Sequence, residues 1–143
     1  MRKPLPEKET DHGADIVAAP GNTAASLTFY GGEIDDTPSG GICIEAANLV
    51  TIDNIEIIRS TNPGTMPTGI KLGAVGSADI RVPRFRIDYA APFTGITISS
   101  GSRGIRITNP LFYIQAGQNK YNDSGVGTNI IEGNMCIKPA ACN

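Results

Sequence analysis

The sequence predicts an all-β chain, a short right-handed parallel β-helix of about four coils with an extended N-terminal arm and a C-terminal tail. The first observation behind this is an eight-residue pattern, apolar-x-apolar-x-x-apolar-x-apolar, found at Leu27 to Ile34, Val50 to Ile57, Ile80 to Ile87 and Ile105 to Phe112. Its units begin 23, 30 and 25 residues apart. Two strands of period two, joined by a two-residue bend, put the four marked side chains of each unit on one side. The second observation is a shorter unit, Gly41-Ile42-Cys43-Ile44, Gly69-Ile70-Lys71-Leu72 and Gly95-Ile96-Thr97-Ile98, which interleaves with the first at spacings of 28 and 26 residues. Gly125-Val126 is a degraded fourth candidate. The third is composition: 17 Gly and 10 Pro in 143 residues, with no Trp, describe a turn-rich β protein.

Uneven periods of this size, with three short strands in each, suit stacked coils in which every coil covers the apolar interior of the one below. Leucine-rich repeats share the period but need a Leu and Asn framework that is missing here. A β-sandwich also has short strands with Gly and Pro turns. The column match of four apolar positions and a bend in four successive units favours the coils. The bend column reads Tyr30-Gly31, Asp53-Asn54, Pro83-Arg84 and Thr108-Asn109. Gly31, Asn54 and Asn109 stand where a left-handed backbone angle is needed, which Gly and Asn tolerate best.

Taken in order, residues 1–26 are a polar lead-in with Pro4, Pro6 and Pro20, expected as a disordered tail, as an arm ordered on a neighbour, or as a cover for the open edge of the first coil. An arm would dock through Ile16 and Val17, its only apolar foothold. The coils run from Leu27 to about Ile114, a stack of four that would stand roughly 19 Å tall at the usual strand spacing. So short a stack has few interfaces between repeats, which argues for caps or oligomerisation. Loops are expected at Asp35 to Gly40, Ser60 to Pro67, Asp88 to Pro92 and Gln115 to Ser124, a last strand at Asn129-Ile130-Ile131, and a tail or cap over 132–143. The domain reading is thus arm 1–26, β-helix 27–131 and tail 132–143.

Other bounds are weaker. One domain of 143 residues buries roughly two-thirds of its unfolded surface. A net charge of −2 gives no bulk drive toward nucleic acid, and no apolar run approaches the length of a membrane span. Cys43, Cys136 and Cys142 lack zinc or redox spacing, so reduced thiols are expected, with a Cys136 to Cys142 bridge as the lesser alternative. The residues after Met1-Arg2-Lys3 form no apolar core of a signal peptide.

Over roughly Leu27 to Ile131 the stacked columns resemble the right-handed parallel β-helix of pectate-lyase-like proteins and of bacteriophage tailspikes and related virion proteins. The resemblance lies in the repeat pattern, so what it implies is fold before function. Hydrolysis of a polysaccharide needs two carboxyl groups on one cleft. Asp35 and Asp36 are the one adjacent pair, in a short loop that an acidic turn explains, and the Gly-His-Gly and Arg-x-Lys of related hydrolases are absent. His12 falls in the lead-in, outside the expected coils. Arg81-Val82-Pro83-Arg84-Phe85-Arg86 matches the Arg-x-Pro-x-x-Arg string of pectate lyases, but Val82 and Phe85 are already accounted for as core and no Asp cluster has calcium-site spacing.

Charge is more informative. Glu33, Asp35, Asp36, Glu45, Asp53 and Glu56 fall between Leu27 and Ile57 with no Lys or Arg, whereas Arg81, Arg84, Arg86, Arg103 and Arg106 dominate the next two coils. In the predicted columns Arg81 and Arg106 face outward on adjacent coils, where like charges at strand spacing repel unless a partner's carboxylates lie against them. Phe29, Phe85 and Phe112 are core, and Tyr30, Tyr89, Tyr113 and Tyr121 are expected at the surface. The expectation for function is a non-enzymatic structural virion protein with no cofactor and no metal. It would be a homotrimer by analogy with phage β-helices, a capsid decoration or cement protein. Its attachment to the major capsid or other virion subunits would use Ile16, Val17 and the arginine face. Deleting residues 1–22 should then abolish attachment. A carbohydrate-binding or depolymerase module of a tail fibre or spike is the alternative, with glycan on the arginine face.

Overall fold

Short runs of alternating apolar and polar residues, broken by Gly, Asn and Pro, leave extended backbone as the one regular structure these segments share. The computed structural model describes residues 12–16, 24–37, 40–60 and 67–132, and every regular element among them is a strand. In order they are β1 (His12–Ile16), β2 (Ala24–Tyr30), β3 (Glu33–Asp35), β4 (Gly40–Asp53), β5 (Glu56–Arg59), β6 (Thr68–Arg81), β7 (Arg84–Ile87), β8 (Thr94–Ile98), β9 (Ile105–Thr108), β10 (Leu111–Tyr113), β11 (Asn119–Asp123) and β12 (Asn129–Ile131). All pair in parallel with the equivalent strand one coil away, which makes a β-solenoid of about four turns.

Each coil has three faces. The first carries β1, the start of β4, the start of β6, β8 and β11. The second carries β2, the ends of β4 and β6, β9 and β12, and the third is the four-stranded sheet β10-β7-β5-β3. In the middle coils the first two faces are one strand that runs around the corner, so β4 and β6 are 14 residues long.

Inward columns hold the structure together. On the first face Ile42, Ile70 and Ile96 stack, and beside them Ile44, Leu72 and Ile98, none more than 1% exposed. On the second face Val50, Ala78 and Ile105 form one column and Ile52, Ile80 and Ile107 another. The third face stacks Ile57 on Phe85 on Phe112, the two rings 4.9 Å apart and nearly parallel. Stacking at the ~4.8 Å strand spacing brings methyl groups and rings from successive coils into dispersion contact.

The third repeat unit lies two residues earlier than the pattern predicts. Ile52 pairs with Ile80, Val50 with Ala78 and Ile57 with Phe85, so the unit is Ala78 to Phe85, not Ile80 to Ile87. Its bend is Arg81-Val82, and Val82 takes the left-handed angle (φ 48°) that Gly31, Asn54 and Asn109 take in the other coils. A slip of two residues leaves inward and outward faces unchanged, so alternation alone does not fix it. Val82 is thus a bend residue and Pro83 is buried in its place.

Three further expectations are corrected at the ends. His12 is not outside the coils: its backbone pairs with Gly40, and Ile16 pairs with Ile44, so part of the lead-in is a strand of the first coil. The loop expected at Gln115 to Ser124 contains β11, which supplies the fifth strand of the first face in place of Gly125-Val126. Val126 makes an isolated bridge to Arg103. Tyr121 pairs with Ile96 and packs half-buried on the core, edge-on to Phe112 at 5.3 Å, where an exposed ring was expected. Cys43 is buried; Val17, Cys136 and Cys142 lie outside the described residues.

Candidate functional site

The register decides what the arginines do. Arg81 lies between Asp53 of the coil before and Thr108 of the coil after, and its guanidinium reaches Asp53 at 3.6 Å and Asp79 at 3.5 Å. Arg106 pairs with Asp79. The two arginines expected to repel each other are therefore not neighbours, and the argument from an unrelieved like-charge pair falls with the two-residue shift. Arg84 lies 3.8 Å from Glu56 of the preceding coil, and Arg86 lies 3.6 Å from Asp88. The acidic coils and the basic coils thus meet at the seam between β4–β5 and β6–β7. Each of these pairs is at least partly exposed and worth about 0–1 kcal/mol. Arg103 and Arg106 are exposed and make no ion pair among the described residues.

The loops between the third and first faces gather at one corner, and polar side chains stitch that corner from coil to coil. Asp36 accepts hydrogen bonds from the Ser60 amide at 2.8 Å and the Ser60 hydroxyl at 3.1 Å, while Asp35 accepts from the same hydroxyl at 3.5 Å. The adjacent carboxylates are thus turned toward the next coil. Arg59 pairs with Ile87 in an inward column and is only 1% exposed. Its guanidinium donates to the carbonyls of Tyr89 (3.0 Å), Ala91 (2.9 Å) and Pro92 (3.2 Å) and lies 5.6 Å from the Phe93 ring centre. Burial pushes its pKa down and the charge of Asp36 pulls it back up. From the other side Gln118 donates to Tyr89 and Ala91, both at 2.7 Å, and Gln115 to Ile87 at 2.8 Å. Nothing in the period-two pattern marks Arg59, because a charged residue in an inward column reads as a strand end.

The third face carries a shallow groove of about 260 Å³ on its outer side, lined by Glu56, Arg84, Phe85, Arg86, Leu111 and Tyr113. Among the described residues the Arg84 Nε, buried there, has no hydrogen-bond partner. Leu111 and Tyr113 stand directly over Arg84 and Arg86, so an apolar strip adjoins two cationic side chains. This groove, the Arg59 corner and the paired arginine seam are three polar constellations among the described residues. Among the described residues no group of three or more His, Cys, Asp or Glu could hold a metal, and no helix is long and apolar enough to cross a membrane. The site residues singled out in the sequence are scattered. Arg81, Arg84 and Arg86 share the seam, Arg103 and Arg106 lie further along the second face, and Ile16 belongs to the first coil.

A parallel β-solenoid with self-paired charges is the class that this geometry defines. Comparison of the chain with protein families, with curated proteins and with solved structures finds no match.

Proposed function

We propose that this chain is a non-enzymatic structural protein of a tailed-phage virion, a capsid decoration protein that assembles as a homotrimer and fastens to neighbouring subunits through its N-terminal segment and the exposed Arg103 and Arg106. The observation that supports this reading is where the polar groups go. Asp36, Arg59, Gln115 and Gln118 are engaged in holding one coil to the next, and Arg81, Arg84 and Arg86 in coil-to-coil or local ion pairs. Such a body is rigid, and its surplus contacts sit at exposed Tyr30, Leu49 and Val126 and at Arg103 and Arg106. Rigid stacks with sticky peripheries suit mechanical attachment.

The test is light scattering after size-exclusion chromatography of the full chain, alone and with the particle from which it comes. A trimer that co-sediments with capsids supports the reading. A monomer that ignores them overturns it. Since β1 is a strand of the first coil, the deletion that isolates an arm is residues 1–11, which spares every described strand. Loss of attachment with unchanged far-UV circular dichroism is expected. A second reading, recognition of an acidic glycan, is favoured by the groove of Leu111, Tyr113, Arg84 and Arg86. Binding of a uronate oligomer that Arg84→Ala abolishes would select it.

A further inference from the structure

On the third face β7 turns Arg84 and Arg86 outward, and β10 stands Leu111 and Tyr113 directly over them. The shallow groove of about 260 Å³ lies where this cationic row meets this apolar row. We propose that the groove docks an extended segment of a partner protein in which acidic and apolar residues alternate, its carboxylates on Arg84 and Arg86 and its apolar side chains on Leu111 and Tyr113.

The spacing carries the argument. Alternate residues of a strand are about 6.6 Å apart, so Arg84 and Arg86 present their charges at the repeat at which an extended peptide presents every second side chain. Successive side chains of such a peptide point to opposite sides. A segment laid along the line between β7 and β10 therefore offers one set to the arginines and the other to Leu111 and Tyr113, and an alternating sequence satisfies both rows at once. β7 lies between β5 and β10, so its backbone is engaged on both sides and recognition falls to side chains.

The charges on the groove are loosely held. The Arg84 guanidinium lies 3.8 Å from Glu56 and that of Arg86 3.6 Å from Asp88, both longer than a hydrogen bond, and the two arginine side chains are 41% and 52% exposed. Among the described residues the Arg84 Nε has no hydrogen-bond partner, and a buried donor left so costs free energy that an incoming carboxylate would return. Arg59, by contrast, already donates to three carbonyls. A guanidinium fork matches a carboxylate in shape and charge, so acidic side chains are the fitting occupants.

The apolar row favours a peptide over a sugar. Sugar hydroxyls need acceptors as well as donors, whereas Glu56 is the one carboxylate among the described lining residues and it faces Arg84. The inference takes from the reading above only that the chain works by attachment, and it uses neither Arg103, Arg106 nor trimerisation. Peptide binding without co-sedimentation would overturn the virion reading alone; co-sedimentation without peptide binding would overturn this inference alone.

The test is fluorescence anisotropy of the full chain with a labelled peptide, Ser-Asp-Leu-Asp-Leu-Ser, and with its block isomer, Ser-Asp-Asp-Leu-Leu-Ser. The alternating peptide should bind saturably and about tenfold more tightly than the isomer, a comparison that needs no variant. Arg84→Gln and Arg86→Gln should each weaken it about tenfold, and Leu111→Ser should weaken it severalfold. Arg106→Gln, on the second face, should leave it unchanged. Absence of saturable binding, equal affinity for the two peptides, or equal loss with Arg106→Gln and Arg84→Gln would each overturn the proposal. Binding of a uronate oligomer in place of the peptide would also overturn it and give the groove to a glycan.

Discussion

Replacing Val82 by Asn should stabilise this protein, and the size of the effect follows from two opposing quantities. Val82 is a β-branched residue at φ 48°, whereas its equivalents Gly31, Asn54 and Asn109 have φ 60°, 57° and 49°. An ordinary L-residue pays about 1–2 kcal/mol in the left-handed region, and Asn escapes much of that cost. The next coil supplies the precedent: Asn109 precedes Pro110 as Val82 precedes Pro83, at the same place in the bend. Against the relief stands lost burial. Val82 is half-buried, and half of a low-end Val burial is about 0.7 kcal/mol. The balance is a gain of about 0.5–1 kcal/mol, or roughly 2–4 °C in Tm for a chain of this size.

Two companion variants separate the terms. Val82→Gly gains the same relief but gives back about 0.5–1 kcal/mol of backbone entropy, so it should lie near wild type. Val82→Ala keeps a Cβ in the strained region and loses burial, so it should be the least stable. Thermal and urea unfolding followed by far-UV circular dichroism would rank the four proteins. If Val82→Asn fell as far as Val82→Ala, the strain would be energetically silent and the argument wrong.

Other consequences follow from the same geometry. Arg59→Ala removes three hydrogen bonds to loop carbonyls, of which Tyr89 and Ala91 keep Gln118 as a donor, and the contact with Phe93, so it should cost about 2–3 kcal/mol in urea unfolding; Arg59→Lys, which lacks the planar fork, should rescue little. Gly69→Ala would put a methyl 2.5 Å from the Phe85 ring and 2.7 Å from the Gly95 carbonyl; loss of the cooperative thermal transition is expected, and a normal one refutes the close approach. Burial, followed by the hydrogen bond and the charge of Glu132, pushes the Tyr121 pKa up. A raised folded-state pKa gives stability that is complete below the unfolded value of about 10 and lost as pH rises above it. Denaturation midpoints should fall above about pH 10, and Tyr121→Phe should flatten that fall.

Most of the interior was legible in the sequence because a solenoid repeats one local decision. Ile42 to Ile44, Ile70 to Leu72 and Ile96 to Ile98 stack as their alternation predicts. The misread third unit shows where that information ends. Ile80, Val82 and Ile87 outrank Ala78 and Pro83 in hydrophobicity, and a two-residue slip costs nothing in inward-outward order. The regular signal was the bend: with Ala78 as the start, successive units are 23, 28 and 27 residues apart, and Pro83 falls level with Pro110. β11 was hidden for another reason. Asn119-Lys120-Tyr121-Asn122-Asp123 has a single apolar inward residue, and among the described residues this strand has a neighbour on one side only. Arg59 was missed because its partners lie 30 to 33 residues on, in a loop that the coil winding alone brings near.

The shifted register also changes what the arginine face means, and a pair of single variants separates the two roles. Arg81 lies within ion-pair distance of both Asp53 and Asp79, so Arg81→Glu would set three carboxylates together at a coil seam. It should lower stability by about 1 kcal/mol, a small figure because these groups are at least partly exposed. Arg106 makes no ion pair among the described residues, and Arg106→Glu places a carboxylate beside Asp79, which Arg81 already neutralises in part. Its effect on stability should be smaller than that of Arg81→Glu. If Arg103 and Arg106 carry attachment, Arg106→Glu should weaken co-sedimentation with the particle, steeply so as salt is raised, while Arg81→Glu acts chiefly on unfolding. Co-sedimentation indifferent to Arg106→Glu, alone and combined with Arg103→Glu, would remove the arginines from the attachment surface and leave the N-terminal segment to carry it.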